Sequence, residues 1–219
     1  MNNLDIIYED ADIILVHKPA GVATQTKRLG QQDMESLLKN YRAKNGETHY
    51  IGVVHRLDQP VEGIMVFAKN QKAAANLSKQ VQQHVIGKYY YAVTENTPAE
   101  KKGVLEDYLL TDKKTNVTQV VNGDVPNAKN AKLEYEVVDT KEGKTLIRIK
   151  LHTGRQHQIR VQMSHMGCPL IGDSKYGNEE SKKGLALCSY RLELKHPATN
   201  KIMEFEIKPK GLEFRALFV

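Results

Sequence analysis

Hydrophobic positions along this chain change period several times, and each change marks an element. Residues 12–17 read Asp-Ile-Ile-Leu-Val-His, a short apolar run closed by Lys18-Pro19-Ala20-Gly21, the pattern of a strand entering a turn. Residues 34–41 are helical in pattern, with Asp33 placed as a cap and Gly46 as a stop. Residues 63–68 are apolar and β-branched enough for a buried strand. Asn70 can cap a second helix, whose stripe is Ala74, Leu77, Val81 and Val85 and whose stop is Gly87. Residues 88–94, with three tyrosines in succession, predict a strand. Further strands are expected at 133–138, 145–151 and 187–194. Met203, Phe205 and Ile207 alternate with Glu204 and Glu206, as in a strand with one wet face. Between 156 and 166, Ile159, Met163 and Met166 stand at helical spacing, and Gly167 with Pro169 ends the segment. Residues 97–132 are polar and show no clear period. Strands outnumber helices without a regular βαβ rhythm, so the expected class is α+β.

Composition narrows the function classes. The 219 residues are enough for one sizeable core or two lobes, and the hydrophobic (40%) and charged (26%) fractions are those of a globular protein. No run of about 18 apolar residues predicts a membrane span, and the first five residues lack the basic-then-apolar pattern of a secretory signal. Cys168 and Cys188 are too few for a disulfide framework, which points to a reducing cytoplasm. A net charge of +6 and a pI of about 9.1 fit a polyanionic partner, because each neutralised phosphate releases counterions. The same charge fits an ordinary solvated basic surface, since the lysines and arginines are spread along the chain.

Chemistry concentrates where polar groups stand beside Gly and Pro in apolar surroundings. In Val53-Val54-His55-Arg56-Leu57-Asp58-Gln59-Pro60, an apolar strand entry gives way to His, Arg and Asp within four residues. A carboxylate presented from such a junction beside basic groups stays ionised and can act as a nucleophile. An ordinary charged turn with a local ion pair has the same composition.

The His-Arg-Leu-Asp segment, with Gly63 and Ala68-Lys69 beyond it, resembles the signature of the RluA-type pseudouridine synthases. Other stretches match in order: Ile7-Tyr8-Glu9-Asp10 with Lys18-Pro19-Ala20-Gly21, then Lys88-Tyr89-Tyr90-Tyr91-Ala92. The longest is Thr153-Gly154-Arg155-Gln156-His157-Gln158-Ile159-Arg160-Val161, continuing to Gly167, Pro169, Gly172-Asp173 and Tyr176-Gly177. His196-Pro197 followed by Thr199 closes the series. The resemblance implies a single catalytic domain over 1–219, without the small N-terminal RNA-binding domain of many relatives. It also implies a long, mostly antiparallel sheet in two halves with flanking helices and a central cleft.

The implied reaction is isomerisation of uridine to pseudouridine in a structured RNA, ribosomal or transfer. Asp58 matches the catalytic aspartate, acting at C1′ or C6 or by deprotonating the sugar to a glycal. Arg160 matches the arginine that pairs with it, holding the carboxylate ionised and aimed. Tyr90 matches the tyrosine that stacks on the base and takes part in proton transfer at C5. Since Tyr89 and Tyr91 point the other way in a strand, only one face can serve the site. Arg56 is expected to fill the gap left by a flipped uridine or to bind phosphate. His55, a hydrogen-bonding group of the loop, is grouped with Arg56, Arg155 and Lys88 as RNA-contacting. No metal or other cofactor is implied, because the product is an isomer of the substrate, and a cytoplasmic monomer is expected.

The chain departs from the family pattern at three places. Val61-Glu62 stands where Thr-Ser is common, His17 where asparagine is frequent, and Cys188 where histidine is frequent. Glu62 would repel phosphate unless it points away or pairs with a lysine. Two rivals come from other classes. A zinc hydrolase could use His152, His157, His165 and Cys168, although His157 and His165 are eight apart rather than at the i, i+4 spacing of helical zinc ligands. An RNA-binding protein of the same fold with lost catalysis is the other.

Overall fold

The computed structural model describes residues 4–26, 30–177, 184–215 and 217. Among them, the chain forms β1 (Asp5–Glu9), β2 (Ile13–Lys18), α1 (Met34–Lys44), β3 (Gly52–Val53), β4 (Glu62–Ala68), α2 (Gln71–Gln82), β5 (Gly87–Thr94) and β6 (Lys102–Asp112). They are followed by β7 (Val117–Val121), β8 (Lys129–Lys141), β9 (Lys144–Leu151), α3 (Gln158–His165), β10 (Leu187–Lys195), β11 (Ile202–Glu206) and α4 (Leu212–Arg215). The class is α+β, as expected. The chain divides into two units, Met1–Gly87 with Ser189–Lys208, and Lys88–Cys188 with Pro209–Val219.

In the first unit the strands run β1-β2-β4-β10, with β11 on β10 and β3 on β4. Pairings β1–β2, β2–β4, β3–β4 and β10–β11 are antiparallel. All seven residues of β4 are buried, as a strand covered on both faces requires. On one face Ile13, Leu15, Ile64, Val66, Ala68, Leu192 and Leu194 pack with Ala73 and Leu77 of α2. Each Ile, Leu or Val side chain among them contributes about 1.5–3 kcal/mol before entropy is counted. Asp33 caps α1 in a capping box with Ser36, and Asn70 caps α2 through Ala73 N–H.

The stripe expected on α2 holds at Leu77, which is buried, and at Ala74 and Val81, which pack part-buried against the core, but it is corrected at Val85, which is exposed. Ala73 and Gln80 are buried as well, and the helix ends at Gln82. His84, in the left-handed region at φ 55°, follows the helix end, and Gly87 begins β5 instead. Gln80 enters the core because its amide matches a strand end: it donates to Lys195 O (2.7 Å) and accepts from Lys195 N (3.0 Å).

Gly63 is fixed by contact as well as by its φ of 136°. A Cβ there would lie 2.4 Å from Ser189 O and 2.5 Å from Ser189 N. Gly63→Ala should therefore lower unfolding free energy by about 3 kcal/mol or more, read from urea denaturation. A loss below 1 kcal/mol would show that β4 and β10 can separate at little cost.

The second unit orders its strands β5-β9-β8-β6-β7, all antiparallel neighbours. Register divides it into two faces. One carries Lys88, Tyr90 and Ala92 with Ile147, Ile149, Leu151, Leu133, Tyr135 and Leu105. The other carries Tyr89 and Tyr91 and a ladder of charges in which Glu136 takes Lys102 and Arg148, and Lys132 takes Glu106. The polar segment without a clear period holds β6, β7 and the start of β8. Its period was hidden because Val104 and Tyr108 face outward, 54% and 42% exposed, while Leu105 and Leu109 face inward.

Candidate active site

Asp58 lies in the loop between β3 and β4 and opens a tight turn, its carbonyl accepting from Val61 N at 3.0 Å. The residues on either side of it are latched to the segment after β2. Thr24 Oγ1 donates to Leu57 O (2.9 Å) and accepts from Leu57 N (3.2 Å). Gln59 O accepts from Gly21 N (2.8 Å) and from Lys18 Nζ (3.1 Å), while Gln59 Nε2 donates to Gly21 O (2.9 Å). These bonds use the main chains of Leu57 and Gln59 and the Gln59 side-chain amide, so they fix where Asp58 stands without consuming its carboxylate. Lys18 is fully buried and also donates to Val22 O (2.6 Å) and Pro19 O (3.1 Å). Burial brings its ammonium down to about 8, against the upward pull of the Asp58 and Glu62 charges.

His55 and Arg56 precede Asp58 in the same loop. The His55 ring is half-buried, and its Nε2 accepts from Val66 N at 3.1 Å, tying the loop to β4. Arg56 is exposed.

In the second unit Tyr90 is buried on β5 opposite Ile149. Tyr89 turns to the other face, where the Lys150 ammonium lies 5.9 Å from its ring centroid. Arg160 is buried on α3 and grips Asp173 with two parallel bonds, Nε to Oδ2 (2.8 Å) and Nη2 to Oδ1 (2.6 Å). Its guanidinium also stands 5.2 Å from the Tyr176 ring centroid, in cation–π range. Tyr176 accepts from Thr118 N (2.9 Å) and bonds His157 Nδ1 (2.7 Å). Burial would raise the Asp173 carboxyl, but the Arg160 guanidinium and the Lys175 and Tyr176 amides together hold it below its ordinary value.

The segment leading into α3 is built around Gln158. Its Oε1 accepts from Thr153 Oγ1 (2.8 Å) and Arg155 N (3.0 Å), and its Nε2 donates to Lys132 O (3.2 Å). Arg155 Nε donates to Asn130 O (2.8 Å), and His157 adopts the left-handed conformation at φ 53° just before the helix.

A family model for RNA pseudouridylate synthases matches residues 12–165. This chain belongs to that family. It is 34% identical over 207 residues to an uncharacterized RNA pseudouridine synthase, YhcT, of Bacillus subtilis (strain 168), covering 93% of this chain and 68% of the relative. To the ribosomal large subunit pseudouridine synthase D of Pasteurella multocida (strain Pm70) it is 33% identical over 225 residues, covering 92% and 66%. The chain thus spans about two thirds of these relatives. The solved structure of human RNA pseudouridylate synthase domain containing 4 has the same fold, with a TM-score of 0.77 at 22% identity over 94% of this chain and 89% of that one. The resemblance read from the motifs is borne out, and the pseudouridine synthase family to which the chain belongs consists of isomerases acting on uridine in RNA.

Within this pseudouridine synthase, two of the departures from the family pattern meet. Glu62 is buried, with Oε2 3.4 Å from His17 Nε2, and His17 Nδ1 is 3.4 Å from Asp5. Glu62 therefore has a histidine beside it, and its charge also acts on Lys18. Cys188 is fully buried in β10. His152 bonds Glu134 (2.7 Å) and His157 bonds Tyr176, so these histidines serve the fold. Among the described residues, the group with ligand atoms in mutual reach is Asp10, Asp12 and His196. Its atoms are engaged: His196 Nε2 bonds Asp10 (2.8 Å), His196 Nδ1 accepts from Thr199 N (3.1 Å), and Asp12 accepts from Asn70 (2.8 Å).

Sequence reasoning missed Lys18, Thr24 and Asp173. The lysine and the aspartate stood inside quoted motifs, and their lack of solvent was the property no motif displays.

Proposed function

We propose that this pseudouridine synthase isomerises uridine in a structured RNA with Asp58 as the nucleophile and Tyr90 and Arg160 completing the reactive set. The observation that carries the reading is the double latch on Leu57 and Gln59, which fixes the Asp58 backbone through its two chain neighbours. In the reaction the N1–C1′ bond breaks, a C5–C1′ bond forms, and the proton from C5 is replaced by one on N1. Atoms and electrons balance without a redox partner. Asp58 holds the detached intermediate, Tyr90 supports the rotating base and its proton transfer, and Arg160 supplies positive charge. Arg56, Arg155, His55 and Lys88 contact the RNA strand. A cytoplasmic monomer acting on ribosomal or transfer RNA fits this set, and the name of the Pasteurella relative favours the large ribosomal subunit.

The test is nucleoside analysis of in vitro transcripts of large-subunit ribosomal RNA and of transfer RNAs after incubation with the protein. New pseudouridine in either class supports the proposal, and its absence from both sinks it. RNA affinity should also fall steeply with salt, the logarithmic slope growing by about 0.7–0.9 for each phosphate contacted. An affinity unchanged between low and physiological salt would contradict phosphate-dominated binding. A binding-only protein is not favoured: Glu62, the residue that would repel RNA, is buried beside His17.

A further inference from the structure

Lys88 and Tyr90 are two residues apart on β5, so their side chains leave the same face of the sheet, roughly 7 Å from one another. The lysine bends toward the segment before α3: a Cβ added to Gly154 would lie 2.9 Å from Lys88 Nζ. Among the described residues, no carboxylate, carbonyl or hydroxyl bonds this ammonium. Burial alone lowers its pKa, with no neighbouring charge acting on it. The contrast with Lys18 is instructive, because that buried amine is surrounded by three carbonyls. A sheltered cation without a partner costs free energy in the folded protein, and the cost is recovered when an anion arrives. Gly154 leaves the approach open, since any larger side chain would occupy the space of the amine.

We infer that Lys88, seated against Gly154, is a phosphate-binding residue that takes one phosphodiester of the RNA strand beside the uridine held at Tyr90. The inference rests on the proposed function. An ammonium two residues along the strand from the base-stacking tyrosine is separated from it by about the size of a nucleotide. It binds the backbone while Tyr90 meets the base, so it fixes which nucleotide enters without reading sequence.

The experiment measures the affinity of the full chain for oligouridylate across a salt series. Lys88→Met and Gly154→Ala should each weaken binding several-fold at low salt and make the logarithmic slope shallower by about 0.7, the signature of one lost phosphate on a single strand. Gly154→Ala meets only the mobile end of a lysine and has no positive φ, so it displaces the amine while the fold stands. Lys88→Arg should keep the slope. Lys102→Met, an exposed lysine paired with Glu136 on the opposite face, should change nothing. Parallel salt lines for the wild type, Lys88→Met and Gly154→Ala would overturn the assignment. So would weaker binding at unchanged slope, which would mark a contact to a uracil carbonyl. Pseudouridine formation is scored separately: a slope change in a protein that modifies no RNA would uphold the phosphate contact and sink the catalytic reading.

Discussion

Asp58→Asn should reduce pseudouridine formation to background while RNA binding stays within about tenfold, or roughly 1.4 kcal/mol. The substitution keeps shape and most hydrogen bonding, and removes the charge and the nucleophilic oxygen. The structure gives a reason to expect a folded, binding-competent variant. The loop is held by Thr24 on Leu57 and by Lys18 and Gly21 on Gln59, and none of these bonds involves the Asp58 side chain. One neighbour will feel the change. Asp58 is one of two charges that hold the Lys18 pKa up near 8, so the variant should shift that amine lower still. RNA binding can even tighten, because a phosphate-repelling charge has gone. Tyr90→Phe belongs beside it: stacking survives in Phe, so retained binding with lost turnover would assign a role to the hydroxyl. The decisive measurement is single-turnover product formation at saturating enzyme, on an RNA that the wild type modifies. Substantial activity in Asp58→Asn would remove the carboxylate from the nucleophile's role.

Residues that carry local chemistry were legible in the sequence, and residues that act through burial were not. The strands containing Ile13–Lys18, Glu62–Ala68 and Gly87–Thr94 announce themselves because their apolar runs are bounded by Gly, Pro and Asn. The caps Asp33 and Asn70 are readable because a cap needs only its own short side chain and the next turn. Strand Lys102–Asp112 was opaque for the opposite reason: Val104 and Tyr108 stay exposed, so both phases of the alternation contain apolar residues. In α2, the core place of Gln80 depends on Lys195, 115 positions away, and no local period can report that. The site follows the same division. Asp58, Tyr90 and Arg160 stand out in motifs, whereas Thr24 is an ordinary threonine until it is seen bonding both main-chain groups of Leu57. Likewise, the pairing of Glu62 with His17 turns two separate departures into one local arrangement.

Asp173→Asn should destabilise the protein more than any other single change around Arg160. Arg160 is buried and two of its guanidinium nitrogens are taken by Asp173, itself 1% exposed. Asparagine's carbonyl can still accept from Arg160 Nη2 and from the Lys175 and Tyr176 amides, but its NH2 group then faces Arg160 Nε, donor against donor. Breaking a buried pair by changing one partner costs about 3–5 kcal/mol, because the remaining charge is left uncompensated. For a chain of this length that corresponds to roughly 6–20 °C in Tm. The pH dependence separates this cause from loose packing. Asp173 has a folded-state pKa below its unfolded value, so its contribution is complete above the unfolded pKa of about 3.9 and is lost as pH falls through the folded one. The stability gap between wild type and Asp173→Asn should therefore be widest and flat near neutral pH, and should narrow below about pH 4. Urea midpoints at several pH values measure it. A gap that is the same at pH 3 and pH 7 would mean that the carboxylate's charge is not what Arg160 needs. If Arg160 also serves the reaction, turnover should fall at temperatures where the variant is still folded. Full activity in that folded variant would leave Arg160 a structural residue of α3 and remove it from the reactive set.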